Sequence, residues 1–476
     1  MKFLTTKNPL SSTIFFGGLG LLRSAVSLIF LPLFLNYLNP EDFGVISLVT
    51  LYATLLSIIG SLGLNNALYT FYYDFDDKAR LKQYLGHIFS TQFFVFLGLI
   101  FLHLPFGELI FENIFQSEEV SFYPYGIIAL CTAFFGGFNT MYFVFLKNEI
   151  NLKAFFYYTI ILVVFTASLQ FLFIVIYETG ILGFLLGILI PNIFVFLIIV
   201  FQNRFLISFK FDKTILKPSL NYSFKLMPFL LLFTLESQIE KYFLDIYLGV
   251  RSVGLYALLI KITGLLFMAL SAFDEGIRPF VYRDLKAQKN TASQYFNLYL
   301  GFGVLVLSVV YFIGVNLDYI FTNPEYLEIK SYFFMACMVV FLLIPRGFFA
   351  ILLGYYKVSA PLSWSTLIKI LITIALMMIL IPKYEMMGAL YALLISNLFS
   401  LLFFGIILKK EISIKINLKT TTYIILFLIG TSLIDYKIIP FNQNIQSFIY
   451  LLVLSILFFR NYTKDFITLL KYNDTN

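Results

Sequence analysis

Charge is scarce in this sequence. Only 12% of its 476 residues are Asp, Glu, Lys or Arg, and it holds two histidines, two cysteines and one tryptophan. So little charge cannot solvate the surface of a soluble domain of this size. The two cysteines, Cys131 and Cys337, fall inside apolar runs. They form neither a disulfide framework nor a metal-ligand pattern, and read as buried core thiols. His87 and His103 stand toward opposite ends of one apolar run, where structural roles are expected. No nucleotide-binding loop, His-Glu-x-x-His pair or nucleophile elbow occurs, so nothing points to ATP hydrolysis within the chain. Alternation of period two is also missing, which excludes a transmembrane β-barrel.

What fills the sequence instead is apolar: 60% hydrophobic residues and a mean hydropathy of +0.90. Runs of about 20 apolar residues, enough to cross a hydrocarbon core about 30 Å thick, recur from end to end. The expected fold is an all-α polytopic membrane protein with about fourteen transmembrane helices. They are placed near 12–34, 43–64, 84–105, 122–146, 155–177, 181–201, 226–248, 254–273, 295–314, 331–353, 363–381, 387–408, 421–434 and 446–459. The first run is too long for a cleaved signal peptide, and it carries Arg23.

Basic residues orient the chain. With the N-terminus in the cytoplasm, 24 of the 33 Lys and Arg residues fall on the cytoplasmic side and four (Arg251, Lys330, Lys383, Lys437) on the other. Both termini are therefore expected inside. The imbalance also accounts for the net charge of +7 without invoking nucleic acid. Outer loops are short, the longest being the acidic 107–121. The inner segment 202–225 mixes bulky apolar residues with lysines, as an amphipathic connector lying on the anionic inner leaflet would.

The chain also repeats itself. Residues 36–74 laid over 246–284 without a gap bring Tyr37 onto Tyr247, Gly44 onto Gly254, Ser61 onto Ser271, Tyr72 onto Tyr282 and Asp74 onto Asp284. Spans 1 and 2 then correspond to spans 7 and 8. An even number of spans per repeat gives two lobes of the same orientation, as in transporters that bind substrate near the midplane. The expected organisation is a six-helix lobe at 1–201, the connector 202–225, a second six-helix lobe at 226–408, and two added helices with a tail at 409–476.

Polar residues inside the spans mark candidate functional positions, because ionisable groups are costly there. Span 1 carries Arg23, Ser24 and Ser27 on one face. Span 2 carries a stripe of Ser47, Thr50, Thr54, Ser57, Ser61 and Asn65. Such a stripe can line a pathway or serve close helix packing. Span 7 places Glu236 and Glu240 one turn apart, with Ser237, Lys241 and Asp245 beside them, and Lys241 in position to pair with Asp245 at i,i+4. Lys261, Arg346 and Lys369 add cations on three further spans. Five cations against three acids suit an anionic substrate such as a phosphate ester. Glu236, Glu240 and Asp245 would balance the empty site or bind a coupling proton or sodium ion. No other cofactor is expected.

Two segments carry a resemblance. An Arg in the first span followed by LPLFLNYLNPEDFGVISL, and then SFKLMPFLLLFTLESQIEKYFLDIYLGVRSVGLYALLIKI, resemble the polysaccharide transporter family of the multidrug/oligosaccharidyl-lipid/polysaccharide superfamily. Glu240-Lys241 stands where that family often has Asp-Arg. The resemblance implies two six-helix lobes in a V around a central cationic cavity, with two helices appended. It implies a flippase of O-antigen or related repeat units in the bacterial inner membrane, its substrate a polyprenyl-pyrophosphate-linked oligosaccharide. Membrane lipids, a polysaccharide polymerase and chain-length machinery are the further partners implied. A multidrug or organic-cation antiporter and a peptidoglycan-precursor flippase of the same superfamily are alternatives. A membrane polysaccharide polymerase or ligase is a more distant one, since it would need a large catalytic outer loop.

Overall fold

A computed structural model describes residues 9–411, apart from 76, 207–211, 288–290 and 357–359. Among the described residues there are helices and turns and no strands, the form expected where lipid offers the backbone no hydrogen-bond partner. The protein is an all-α polytopic membrane protein. Expected spans 13 and 14 lie outside the described residues. The chain divides into two compact units, Met1–Gly254 and Leu255–Asn476, with the division falling inside a helix.

The first unit begins with α1 (Pro9–Ile29) and the single turn α2 (Leu31–Phe34), separated at Phe30 just before Pro32. Next comes α3 (Pro40–Ser61). Its start is specified by the run Asn-Pro-Glu-Asp. Asn39 accepts from the Asp42 N–H at 2.7 Å, Asp42 accepts from the Asn39 N–H at 3.1 Å, and Pro40 fills the first helical position, where no N–H is needed. Leu62 and Gly63 then turn left-handed (φ 50° and 73°), and the chain re-enters helix as α4 (Leu64–Phe71). Asn65 therefore stands beyond this break, on α4, and the polar stripe expected along span 2 stays on one continuous helix only as far as Ser61.

Helix α5 (Lys78–Ile114) is 37 residues long and carries Pro105 inside it. Much of the outer loop expected at 107–121 is thus helical, leaving 115–121 before the turns that lead into α6 (Ile127–Asn148). Two more spans, α7 (Leu152–Gln170) and α8 (Gly180–Gln202), follow. Helix α6 packs on α3 and α8, and α7 on α8. Their shared core is aromatic: Phe138 lies 4.8 Å by ring centroid from both Phe89 and Phe196, surrounded by Leu85, Met141, Tyr142 and Val195. Edge-on pairs of this kind add about 0.5–1.5 kcal/mol each beyond the area they bury.

Helix α9 (Lys213–Glu236) starts at Asp212, which accepts from the Thr214 hydroxyl and N–H at 2.6 and 2.8 Å. Those two bonds hold the Asp212 carboxyl below the usual range. The second half of the segment expected as a connector is therefore the opening of a helix that runs on into span 7. Tyr84 on α5, fully buried, meets the Ser219 hydroxyl at 2.9 Å and ties α9 to the unit. Span 7 is not one helix: it breaks at Ser237 and Gln238 and resumes as α10 (Ile239–Leu248).

Helix α11 (Val250–Lys286), again 37 residues, carries the chain into the second unit. There α12 (Ala292–Val315) packs against α13 (Lys330–Phe341) and α14 (Leu343–Tyr355). Span 10 is thus also divided, at Leu342, three residues before Pro345. The last element, α15 (Ala360–Glu411), is two helices meeting at a sharp turn. Glu385 has φ 53°, and Gly388 packs so closely that a Cβ would stand 2.2 Å from the Leu380 carbonyl oxygen. Spans 11 and 12 correspond to its two arms.

Candidate functional site

Arg23 is exposed on α1 and makes no hydrogen bond or ion pair among the described residues. Ser27, one turn on, is exposed as well. Helix α1 packs on α7. On α3, Ser47 and Ser61 are buried, Thr50 and Ser57 half-buried, and Thr54 exposed. Several of these hydroxyls turn back on their own helix: Thr50 donates to the Ile46 carbonyl at 2.8 Å, Thr54 to Thr50 at 2.8 Å, and Ser61 to Ile58 at 3.1 Å. Such bonds leave an oxygen lone pair for a second partner and let a polar face persist at membrane depth without stranded donors.

The acids and Lys241 gather at the break in span 7. Glu236 closes α9, while Glu240 and Lys241 open α10, and both helices pack against α3. Glu240 is buried; Glu236 and Lys241 are half-buried. Because the helix is interrupted between them, Glu236 and Glu240 do not form the one-turn stack that a continuous span would give. The expected Lys241–Asp245 pair is replaced too. Asp245, 2% exposed, accepts from the Gln116 N–H at 2.9 Å and from the Ser117 hydroxyl. Both donors belong to the loop after α5. A buried carboxylate must be paired or hydrogen-bonded, and these loop donors meet the need that Lys241 was expected to meet.

In the second unit, Lys261 is half-buried on α11, and Arg346 is half-buried in the first turn of α14, immediately after the break in span 10. Lys369 is 5% exposed, on a face of α15 shared with buried Ser365, Thr366 and Thr373. Two charge-bearing spans, 7 and 10, are thus discontinuous at their charges. Interrupted helices at membrane depth are tolerated where the freed backbone groups meet protein or a water-filled path.

Two further contacts lie outside the intramembrane charges considered above. Tyr52 on α3 donates its hydroxyl to His103 Nε2 at 2.6 Å, while His103 Nδ1 faces the Leu99 carbonyl at 2.7 Å. A carbonyl only accepts, so Nδ1 carries the proton and Nε2 is left to accept. At the start of α3, Glu41 meets Arg251 at 3.1 Å, both side chains about two-fifths exposed. Arg251 carries a signal in sequence, since in the repeat it stands opposite Glu41.

A multi-pass bundle of interrupted, largely uncharged helices with ionisable residues at the interruptions is the build of a membrane transporter. Residues 37–273 match the family model described as polysaccharide biosynthesis protein. The chain belongs to the polysaccharide transporter family of the multidrug/oligosaccharidyl-lipid/polysaccharide superfamily, a group of flippases and transporters. Its fold is similar to that of "Lipid II flippase MurJ, inward closed conformation", with a TM-score of 0.72, 16% identity, and 96% of this chain and 98% of that chain covered. It is also similar to a multidrug resistance MATE family transporter of the same superfamily. In that transporter's inward-facing conformation the TM-score is 0.61, with 14% identity and 84% and 96% of the two chains covered. In an outward-facing conformation of such a transporter the values are 0.58, 16%, 87% and 97%. No curated protein matches the chain by sequence.

Proposed function

We propose that this protein is a flippase for polyprenyl-pyrophosphate-linked oligosaccharide repeat units, moving O-antigen, capsule or related surface-polysaccharide precursors across the bacterial inner membrane by alternating access. The observation that carries this reading is the family match over 37–273, whose description is polysaccharide biosynthesis. The residues agree with it chemically. Pyrophosphate and sugars cannot enter hydrocarbon unaided, whereas the polyprenyl tail can stay there. A path that carries guanidinium and ammonium groups and exposed hydroxyls shields the head group alone. Arg23, exposed and unpaired among the described residues, is the group we assign to the pyrophosphate. Lys241, Lys261, Arg346 and Lys369 supply further positive charge, and the hydroxyls of Ser27, Thr50, Thr54 and Ser57 are the groups we assign to the sugars. Glu236 and Glu240 are the groups we assign to charge balance or to a coupling proton or sodium ion. Both termini lie in the cytoplasm on this reading, and a polymerase and chain-length machinery would act on the product at the opposite face of the membrane.

A second reading comes from the structural likenesses: transport of a peptidoglycan precursor, or export of organic cations. An organic-cation exporter would want a carboxylate where span 1 has Arg23. The test is reconstitution into vesicles with three substrates supplied separately: a polyprenyl-pyrophosphate oligosaccharide, lipid II and an organic cation. Exposure of the first on the opposite leaflet is the expected outcome. Arg23→Ala should lower that rate about ten-fold or more and Arg23→Lys should retain part of it, since both cations bind phosphate. An alanine variant that flips at the wild-type rate would overturn the assignment of Arg23.

A further inference from the structure

The repeat identified in sequence relates residue i to residue i + 210, and beyond residue 284 this offset still pairs contacts within the two units. Phe89 and Phe138 lie 4.8 Å apart by ring centroid, and their partners Tyr299 and Phe348 lie 5.8 Å apart. Tyr72 and Phe145 lie 6.3 Å apart, and Tyr282 and Tyr355 lie 5.4 Å apart. With the register fixed in this way, three differences fall in one place. Leu64, Phe89 and Gly136 of the first unit correspond to Asp274, Tyr299 and Arg346 of the second. Leu64 and Phe89 are fully buried in the apolar core of the first unit. In the second unit the same packing gains an acid, a hydroxyl and a guanidinium.

Gly347 links these groups. Tyr299 is 1% exposed, its ring lies 5.8 Å from those of Phe273 and Phe348, and its hydroxyl is hydrogen-bonded to Asp274. A buried phenol needs an acceptor, and the carboxylate supplies it. A Cβ added at Gly347 would stand 2.5 Å from the Tyr299 hydroxyl oxygen, so the backbone of α14 is seated on that hydroxyl. Arg346 is the residue before. It lies in the opening turn of α14, just past the break at Leu342. The first N–H groups of a helix lack the i→i−4 partners that stiffen its interior. Packing must then fix the direction of such a turn. Here the contact beside Arg346 is with a side chain held at both its ring and its hydroxyl.

We infer that Asp274 and Tyr299 are positioning residues: together they fix the opening turn of α14 and so present Arg346 to the anionic head group of the substrate. Their role in transport rests on the assignment of Arg346 to the substrate path, whereas their hold on the turn does not. Neither is among the intramembrane charges legible in sequence. Asp274 falls one residue beyond the expected span 254–273, and Tyr299 carries no charge.

Two measurements separate the hold on the turn from its use. The first reads the turn alone, in purified, vesicle-reconstituted protein. Arg346→Cys is made in a background carrying Cys131→Ala and Cys337→Ala, and is spin-labelled. Tyr299→Phe, and Asp274→Leu combined with Tyr299→Phe, should each add a mobile component to the label's spectrum. Asp274→Asn keeps an acceptor for the phenol and should not. The double substitution restores the residue types of the first unit and strands no polar atom, so its Tm in detergent should stay close to wild type. A spectrum that neither Tyr299→Phe nor the double substitution changes would overturn the proposal. The second measurement uses inorganic pyrophosphate as the probe, on protein that keeps Arg346. The double substitution should raise the Kd about three- to ten-fold, and should add nothing once Arg346→Ala is present. No rise, or an equal rise on both backgrounds, would overturn the positioning of Arg346. If Arg346→Ala leaves the Kd unchanged while the label's mobility responds, the hold on the turn is supported and the assignment of Arg346 to the substrate falls.

Discussion

Residues 40–61 and 250–271 begin alike, each with a helix whose second turn opens on a glycine pressed against the other's backbone. Beyond that length they diverge. In the first copy α3 stops at Ser61, and Leu62 and Gly63 turn left-handed before α4. In the second, the matching Ala272 and Phe273 remain helical, and α11 continues to Lys286. The residue types explain the difference. Gly63 takes φ 73° without the roughly 1–2 kcal/mol that a Cβ incurs there, whereas Phe273 stacks on Phe302 at 4.3 Å and holds α11 against α12. The copies stay alike where each must fit the other and differ where each meets its own surroundings.

The largest effect should come from the shared end. Gly44→Leu or Gly254→Leu is expected to reduce flipping in vesicles about ten-fold or more, with the two variants indistinguishable; unequal losses would break the symmetry argument. Next is Tyr52→Phe, which strips the donor from buried His103 Nε2. It should cost about 1–3 kcal/mol, seen as a lower Tm in detergent. The repeat partner Ile262 is apolar and buried, so the matching tie is absent from the second copy. A methyl group should then act in opposite directions at the divergent end. Gly63→Ala adds one at positive φ and should cost about 1 kcal/mol. Ala272→Gly removes one from an exposed helix interior and should also cost about 1 kcal/mol. Smallest is Glu41→Gln, expected to cost at most about 1 kcal/mol and to lose its effect in high salt.

Much of the bundle was legible in the apolar runs, because a membrane-spanning helix announces itself through length and lack of charge. The repeat was legible in Gly44 and Gly254, where a close backbone contact admits only one residue type. The break at Leu342 has its signal in Pro345, but the break at Ser237–Gln238 has neither proline nor glycine to mark it. Leu-Glu-Ser-Gln-Ile reads as ordinary helix, although α9 ends at Glu236 and α10 begins at Ile239. Asp245 shows the same limit. Helical periodicity offered Lys241 as its partner, yet a loop more than a hundred residues earlier in the chain supplies its two donors. Arg251 was counted as a loop charge, since its pairing with Glu41 depends on the first turns of α3 and α11 meeting in space.

Helices α5 and α11 are each 37 residues long, about 55 Å at 1.5 Å per residue, against a hydrocarbon core of about 30 Å. Each carries exposed basic residues at the end expected in the cytoplasm: Lys78, Arg80 and Lys82 on one, Arg278, Arg283 and Lys286 on the other. On that expected topology the surplus turns would carry those charges to the headgroups and beyond, where an anionic leaflet attracts each by about 1 kcal/mol. The two long helices would then be moored to the surface of the bilayer as well as embedded in its interior, and transport should respond to membrane thickness and to the anionic lipid content of the inner leaflet.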